Sequence, residues 1–208
     1  MDREKFFTQW SELHGGASVT GIVRLWLTVS YFIIKPLLLL RITPNVVTTI
    51  GLALGALTWK FSGNHFAIAL LLLSLIADGI DGSLAIASSR VSLWGAAYDS
   101  VVDRVVEFFW ALTFIKIGAP SIIVGLAWAA ALTQEYMRAR AGGLGHRKVG
   151  VVTISERPVR AIFLAVALIS QMAGMHYLGL IASLWLMVQS FSLVVILRDS
   201  YSALRGDN

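Results

Sequence analysis

Four aspartates set the chemistry open to this chain. Asp78 and Asp81 lie in D78-G-I-D81-G82-S-L-A85-I86, and Asp99 and Asp103 lie in G95-A-A-Y-D99-S-V-V-D103, with a polar break at Ser88, Ser89 and Arg90 between them. Both stretches are strongly apolar, where an ionised carboxylate is costly unless it faces a cavity, a cation or a substrate. At about 100° per residue, Asp78, Asp81, Gly82 and Ala85 share one helical face, and Gly95, Asp99 and Asp103 share another. If the chain turns at Ser89 and Arg90, the acids converge at similar depth, roughly 12 to 20 Å down the two helices. Carboxylates that close either keep protons or hold one or two hard cations, and an all-oxygen set without thiols suits Mg2+ or Mn2+. Gly82 and Gly95 leave both helix faces bare beside the acids, so a ligand or another backbone can approach. The competing reading pairs the acids with basic residues inside a bundle, for which Arg104 is available at that depth.

The elements that must carry these residues belong in a membrane. The 208 residues are 57% hydrophobic, with a mean hydropathy of +0.74, which indicates one integral membrane domain over residues 1–208. Cysteine is absent, which excludes a disulfide framework and thiolate metal sites. The net charge of +5 points, in a membrane protein, to anionic lipid headgroups and phosphate-bearing substrates and not to nucleic acid. Asp2, Glu4 and Glu12 interrupt the N-terminus, so no cleavable signal is expected. Residues 1–20 read as a polar cytosolic lead. The run from Gly21 to Leu40 carries Arg24 and Lys35 nearly on one face, which fits an amphipathic helix at the interface; a seventh span is the alternative.

Thr43 as N-cap and Pro44 at the first helical position mark the next start. Spans are predicted at 45–61, 65–88, 92–117, 119–140, 157–174 and 177–197, each near the length that a bilayer requires. The expected organisation is a lead and interfacial helix over 1–44, a six-helix catalytic bundle over 45–197 and a cytosolic tail over 198–208. With the N-terminus inside, Arg3, Lys5, Arg41, Arg90, the run from Arg138 to Lys148, Arg157, Arg160, Arg198 and Arg205 all fall on the inner side. That topology opens the acids toward the cytosol, in a plasma or inner membrane. His146, Arg147 and Lys148 read as a solvated positive-inside loop. Trp26, Trp59, Trp94, Trp110, Trp128 and Trp185 read as interfacial anchors and packing residues, and Glu107 extends the Asp99 and Asp103 stripe.

The acid spacing resembles the signature of the CDP-alcohol phosphotransferases, D-x-x-D-G-x-x-A-R followed by G-x-x-x-D-x-x-x-D. Asp78, Asp81, Gly82, Ala85, Gly95, Asp99 and Asp103 match, while Ile86 stands where the signature has arginine. The resemblance implies transfer of a phospho-alcohol group from a CDP-linked donor, usually CDP-diacylglycerol, to the hydroxyl of an acceptor, with release of CMP. It further implies that Asp78, Asp81, Asp99 and Asp103 hold the metal, and that Asp103 acts as general base. Asn45, Thr48, Gly82, Ala85 and Gly95 would line the nucleotide pocket with Asp78 and Asp81, and Arg90, one turn beyond Ile86, would partly replace the missing arginine. A looser likeness to members that use a phosphorylated polyol assigns Arg138, Arg157, Arg160 and Arg198 to the acceptor. A homodimer is implied as well. Two rival readings are a cation or proton transporter, because intramembrane acids also mark ion pathways, and a non-catalytic relative, suggested by Ile86.

Overall fold

The computed structural model describes residues 2–145 and 151–206, and among these it is all-helical: α1 (Arg3–Leu13), α2 (Gly21–Leu39), α3 (Pro44–Lys60), α4 (Phe66–Ala87), α5 (Leu93–Lys116), α6 (Ser121–Gly143), α7 (Arg157–Met172) and α8 (Leu178–Arg205). His146, Arg147 and Lys148 lie outside the described residues. Helices α3 to α8 coincide with the six predicted spans to within a few residues, except that α8 continues past 197 to Arg205. The lengths and apolar composition of α2, α4 and α8 suit a membrane crossing. Helices α3 and α7 are shorter, at 17 and 16 residues, and α5 carries Asp99, Asp103, Arg104 and Glu107, which lower its apolar average. The run expected at the interface, α2, thus also has the build of a span. Its Lys35 ammonium rests over the rings of Tyr31 and Phe32, at 4.9 and 5.2 Å from their centroids.

The expected polar lead contains a helix. Asp2 caps α1 by accepting the Lys5 N–H at 2.8 Å, and Phe6 and Phe7 are buried. The cap and the paired aromatic residues outweigh the mixed charges of this short segment.

The chain forms two compact units. Unit 1 comprises residues up to Gly55 and Leu72–Val106, and so takes α1, α2, the start of α3, the later part of α4 and the start of α5. Its apolar cluster joins Phe6 and Phe7 to Leu27, Ile34, Val47, Ala77, Ile80, Leu84 and Ile86. Close approach of its helices depends on small residues: a Cβ on Gly79 would lie 2.3 Å from Cζ2 of Trp26, and one on Gly55 would lie 3.0 Å from Val106. Ser74 donates across to the Gly51 carbonyl at 2.8 Å.

Unit 2 comprises Ala56–Leu71 and the chain from Glu107 onward. Its interior is partly polar. Gln134 and Gln189 are fully buried and bonded to each other at 2.8 Å, and Ser155 donates to Gln189 at 2.7 Å. At the other end of the unit, the Lys116 ammonium donates to the last carbonyls of α3, those of Trp59 and Lys60, at 2.9 Å each, a cation meeting the negative end of a helix dipole.

Candidate active site

The signature residues assemble within unit 1. α4 ends where Ser89 takes a left-handed conformation, φ 54°, and the Arg90 N–H returns to the Ala85 carbonyl at 2.9 Å, a closure that satisfies the last carbonyls of the helix. Ser92 then opens α5, its hydroxyl accepting the Gly95 N–H at 3.0 Å. A Cβ on Gly95 would sit 2.9 Å from that hydroxyl, so this glycine serves the cap as well as the open face. The turn is the one expected at Ser89 and Arg90, and it sets the two acid stripes against each other.

Asp78, Asp99 and Asp103 each offer a carboxylate oxygen, and these oxygens lie within 4.8 Å of one another. Asp81 takes a different orientation. Buried at 5% exposure, it accepts the Thr48 hydroxyl at 2.6 Å and the Gly82 N–H at 2.6 Å. Thr48 is itself buried, so α3 fixes this acid through a buried hydrogen bond. Asp103 also has Arg104 beside it, with N to O at 3.6 Å, so the pairing considered from the sequence exists at Asp103.

A cavity of about 370 Å³ adjoins the acids, lined by Asn45, Thr48, Asp81, Gly82, Ala85, Arg90, Gly95 and Asp99 among others. A Cβ on Gly82 would meet nothing within 4 Å, as expected of a bare face turned to open space. The Asn45 side-chain oxygen lies 3.5 Å from where a Gly95 Cβ would be, so α3 and α5 approach each other beside the cavity. Ile86, at the arginine position of the signature, lines the same cavity while belonging to the apolar cluster. Leu13 and His14, at the end of α1, also line it. Sequence reasoning passed over these two, although the Gly15-Gly16 pair that follows signals a chain break there.

The four arginines assigned to an acceptor belong to unit 2. Arg160 is 2% exposed, with Nη1 to Glu107 and Nη2 to Glu135, both at 2.9 Å, and Nε to the Ser155 carbonyl at 3.0 Å. Glu107 is therefore the partner of a buried cation. Arg138 is half-buried and forks onto Glu156 at 2.9 and 2.6 Å. Burial would push the Glu156 carboxyl up, but the Arg138 guanidinium, with the amide and hydroxyl of Thr153, holds it down at about 2. Arg157 lies over the Trp110 ring at 5.4 Å, and Arg198 is exposed. The buried glutamate and glutamine partners, Glu107, Gln134 and Gln189, come from three helices and carried no joint signal in the sequence.

Comparison with known proteins gives this arrangement its family. Residues 41–197 match the family model described as CDP-alcohol phosphatidyltransferase. A phosphatidylinositol phosphate synthase of Cutibacterium acnes is 32% identical over 148 residues, 64% of this chain and 70% of the relative. An archaetidylinositol phosphate synthase of Aeropyrum pernix is 29% identical over 121 residues, 56% of this chain and 62% of the relative. The crystal structure of Mycobacterium tuberculosis phosphatidylinositol phosphate synthase with CDP-DAG bound matches with a TM-score of 0.65 over 84% of this chain and 94% of that one, at 19% identity. At that identity the likeness is one of fold. An all-helical membrane fold, a carboxylate cluster able to hold a divalent ion and a match over most of the chain agree with one another. The chain belongs to the CDP-alcohol phosphatidyltransferase family, integral membrane enzymes that transfer substituted phosphate groups.

Proposed function

We propose that this protein transfers the phosphatidyl group of CDP-diacylglycerol, or a similar CDP-linked lipid, to the hydroxyl of a polyol phosphate and releases CMP. The observation that carries the reading is the cluster of three converging carboxylates, of which Asp99 lines a cavity whose α4 face is bare at Gly82. The donor set is all carboxylate oxygen and fits a hard divalent cation, Mg2+ or Mn2+; Asp78, Asp99 and Asp103 would hold it, with Asp81 alongside. Such an ion, when bound, offsets the charge of the diphosphate and of departing CMP.

The chain's own residues do the rest. Asp103 takes the proton of the acceptor hydroxyl as its oxygen bonds to phosphorus and the bond from phosphorus to CMP breaks. Thr48 holds Asp81 in one orientation, so the wall of the cavity is set before the donor arrives. Asn45, Thr48, Gly82, Ala85 and Gly95 form the nucleotide pocket, and Arg90 supplies a cation at its rim. Of the four arginines in unit 2, Arg138 and Arg160 already bind carboxylates, and Arg157 and Arg198 meet the acceptor phosphate. The inner-side bias of Arg41, Arg90, Arg138, Arg157, Arg160 and Arg198 supports a site open to the cytosol, and a homodimer is in keeping with the family resemblance.

The test is incubation of the purified protein with CDP-diacylglycerol, Mg2+ or Mn2+ and a panel of polyols and polyol phosphates, with CMP release as the readout. CMP release that needs both the divalent ion and a phosphorylated acceptor is expected. Equal turnover with free polyols would reject the phosphorylated acceptor, and no turnover with any member of the panel would reject the transfer itself.

A further inference from the structure

The family match begins at residue 41, yet α1, well before it, reaches the cavity. Phe6 and Phe7 fasten α1 into the apolar cluster that contains Ile86. Ile86 belongs to that cluster and also lines the cavity, so the isoleucine and the docked α1 form one stretch of its wall. His14 stands on the cavity wall with Arg90.

The ring of His14 is fixed on one face and one edge. It stacks on Trp10, with centroids 4.0 Å apart and planes at 17°, and its Nδ1 lies 2.7 Å from the Trp10 carbonyl oxygen. A carbonyl oxygen only accepts, so Nδ1 carries the hydrogen, and the neutral ring presents Nε2 as an acceptor. Asp81 and Asp99 line the cavity deeper along α4 and α5. From Asp81 to Ala87 is roughly 9 Å of helix, followed by the turn that carries Arg90, a span comparable with one nucleotide. A diphosphate that lies with the acids therefore sends its nucleoside toward Ala85, Arg90 and His14.

We propose that α1 is a specificity element of the donor site, in which Nε2 of His14 accepts a hydrogen bond from the 4-amino group of cytosine. The inference rests on the reading of this cavity as the nucleotide pocket. Arg90 has only donors to offer, and these complement the ring nitrogen and carbonyl oxygen on the same edge of cytosine. Uracil carries an oxygen in place of the amino group, which would set lone pair against lone pair at Nε2, so the site discriminates by an unmade bond.

Calorimetry on the full-length protein in detergent with Mn2+, using CDP and UDP as the probes, tests this. Wild type should bind CDP more tightly than UDP. His14→Ala should weaken CDP binding by roughly fivefold to tenfold, the loss of one hydrogen bond, and leave UDP binding unchanged or tighter, because the opposed lone pair is gone. His14→Gln, whose amide oxygen also accepts, should keep most of the preference. An unchanged CDP affinity in His14→Ala, or equal losses for CDP and UDP, overturns the inference while the nucleotide pocket stands. Failure of the wild type to bind CDP removes the pocket and this inference together.

Discussion

Adding one methyl group at two glycines of α4, three residues apart, should separate binding from packing. A Cβ at position 82 meets nothing within 4 Å, whereas one at position 79 would lie 2.3 Å from Trp26. Both changes improve intrinsic helix propensity by up to about 1 kcal/mol. Gly79→Ala also forces the indole to move, and overpacking of that kind costs about 1 to 3 kcal/mol. Less the propensity gain, up to about 2 kcal/mol remains, and at about 2 to 4 °C per kcal/mol for a chain of this size the apparent melting temperature in detergent should fall by up to about 8 °C. Gly82→Ala should melt at or slightly above the wild-type temperature. Its methyl instead occupies the cavity, and if a nucleotide packs on that face the same overpacking appears in binding, as roughly a fivefold to hundredfold rise in the Kd for CDP. Thermal denaturation and CDP calorimetry on the two variants side by side are sufficient. An unchanged CDP affinity in Gly82→Ala refutes the idea that the ligand approaches the bare face of α4. A loss of stability matching that of Gly79→Ala refutes the openness of that face.

Asp103→Asn removes the proton acceptor while keeping its shape, so CMP release should fall by about a hundredfold or more; near-normal turnover excludes Asp103 as the base. Arg157→Ala should raise the KM for a phosphorylated acceptor by roughly tenfold and leave the donor KM alone, as expected for one lost charge-assisted contact; equal effects on both substrates would return Arg157 to a packing role over Trp110. For Glu156, a folded value of about 2 against an ordinary 4.5 means that its stabilising contribution is complete above pH 4.5 and is lost as pH falls toward 2. The gap in melting temperature between wild type and Glu156→Gln should therefore be widest near neutrality and shrink below pH 4.5, and a gap constant from pH 6 to pH 3 contradicts the Arg138 to Glu156 contact as the cause.

The aspartates and glycines of the signature could be read in one dimension because helical geometry is periodic. Once Asp78, Asp81 and Gly82 share a face of α4 and Asp99 and Asp103 share a face of α5, a turn at Ser89 leaves little freedom in where they meet. Helix positions were legible for a similar reason: long apolar segments bounded by Pro44, Gly118 and Gly174 have few alternatives. Which partner each charged group takes was not legible. Asp81 turns to Thr48, 33 residues away along the chain, and Arg160, placed by sequence pattern among residues that bind a ligand, is enclosed by Glu107, Glu135 and Gln189. Ile86 read as a lost arginine, and the structure places it in one apolar cluster with Phe6 and Phe7. Local periodicity tells which residues share a face; burial and hydrogen bonding between distant segments depend on distances that no spacing within one helix encodes, and so the tertiary structure alone decided whether a given charge is held by the protein or offered to a ligand.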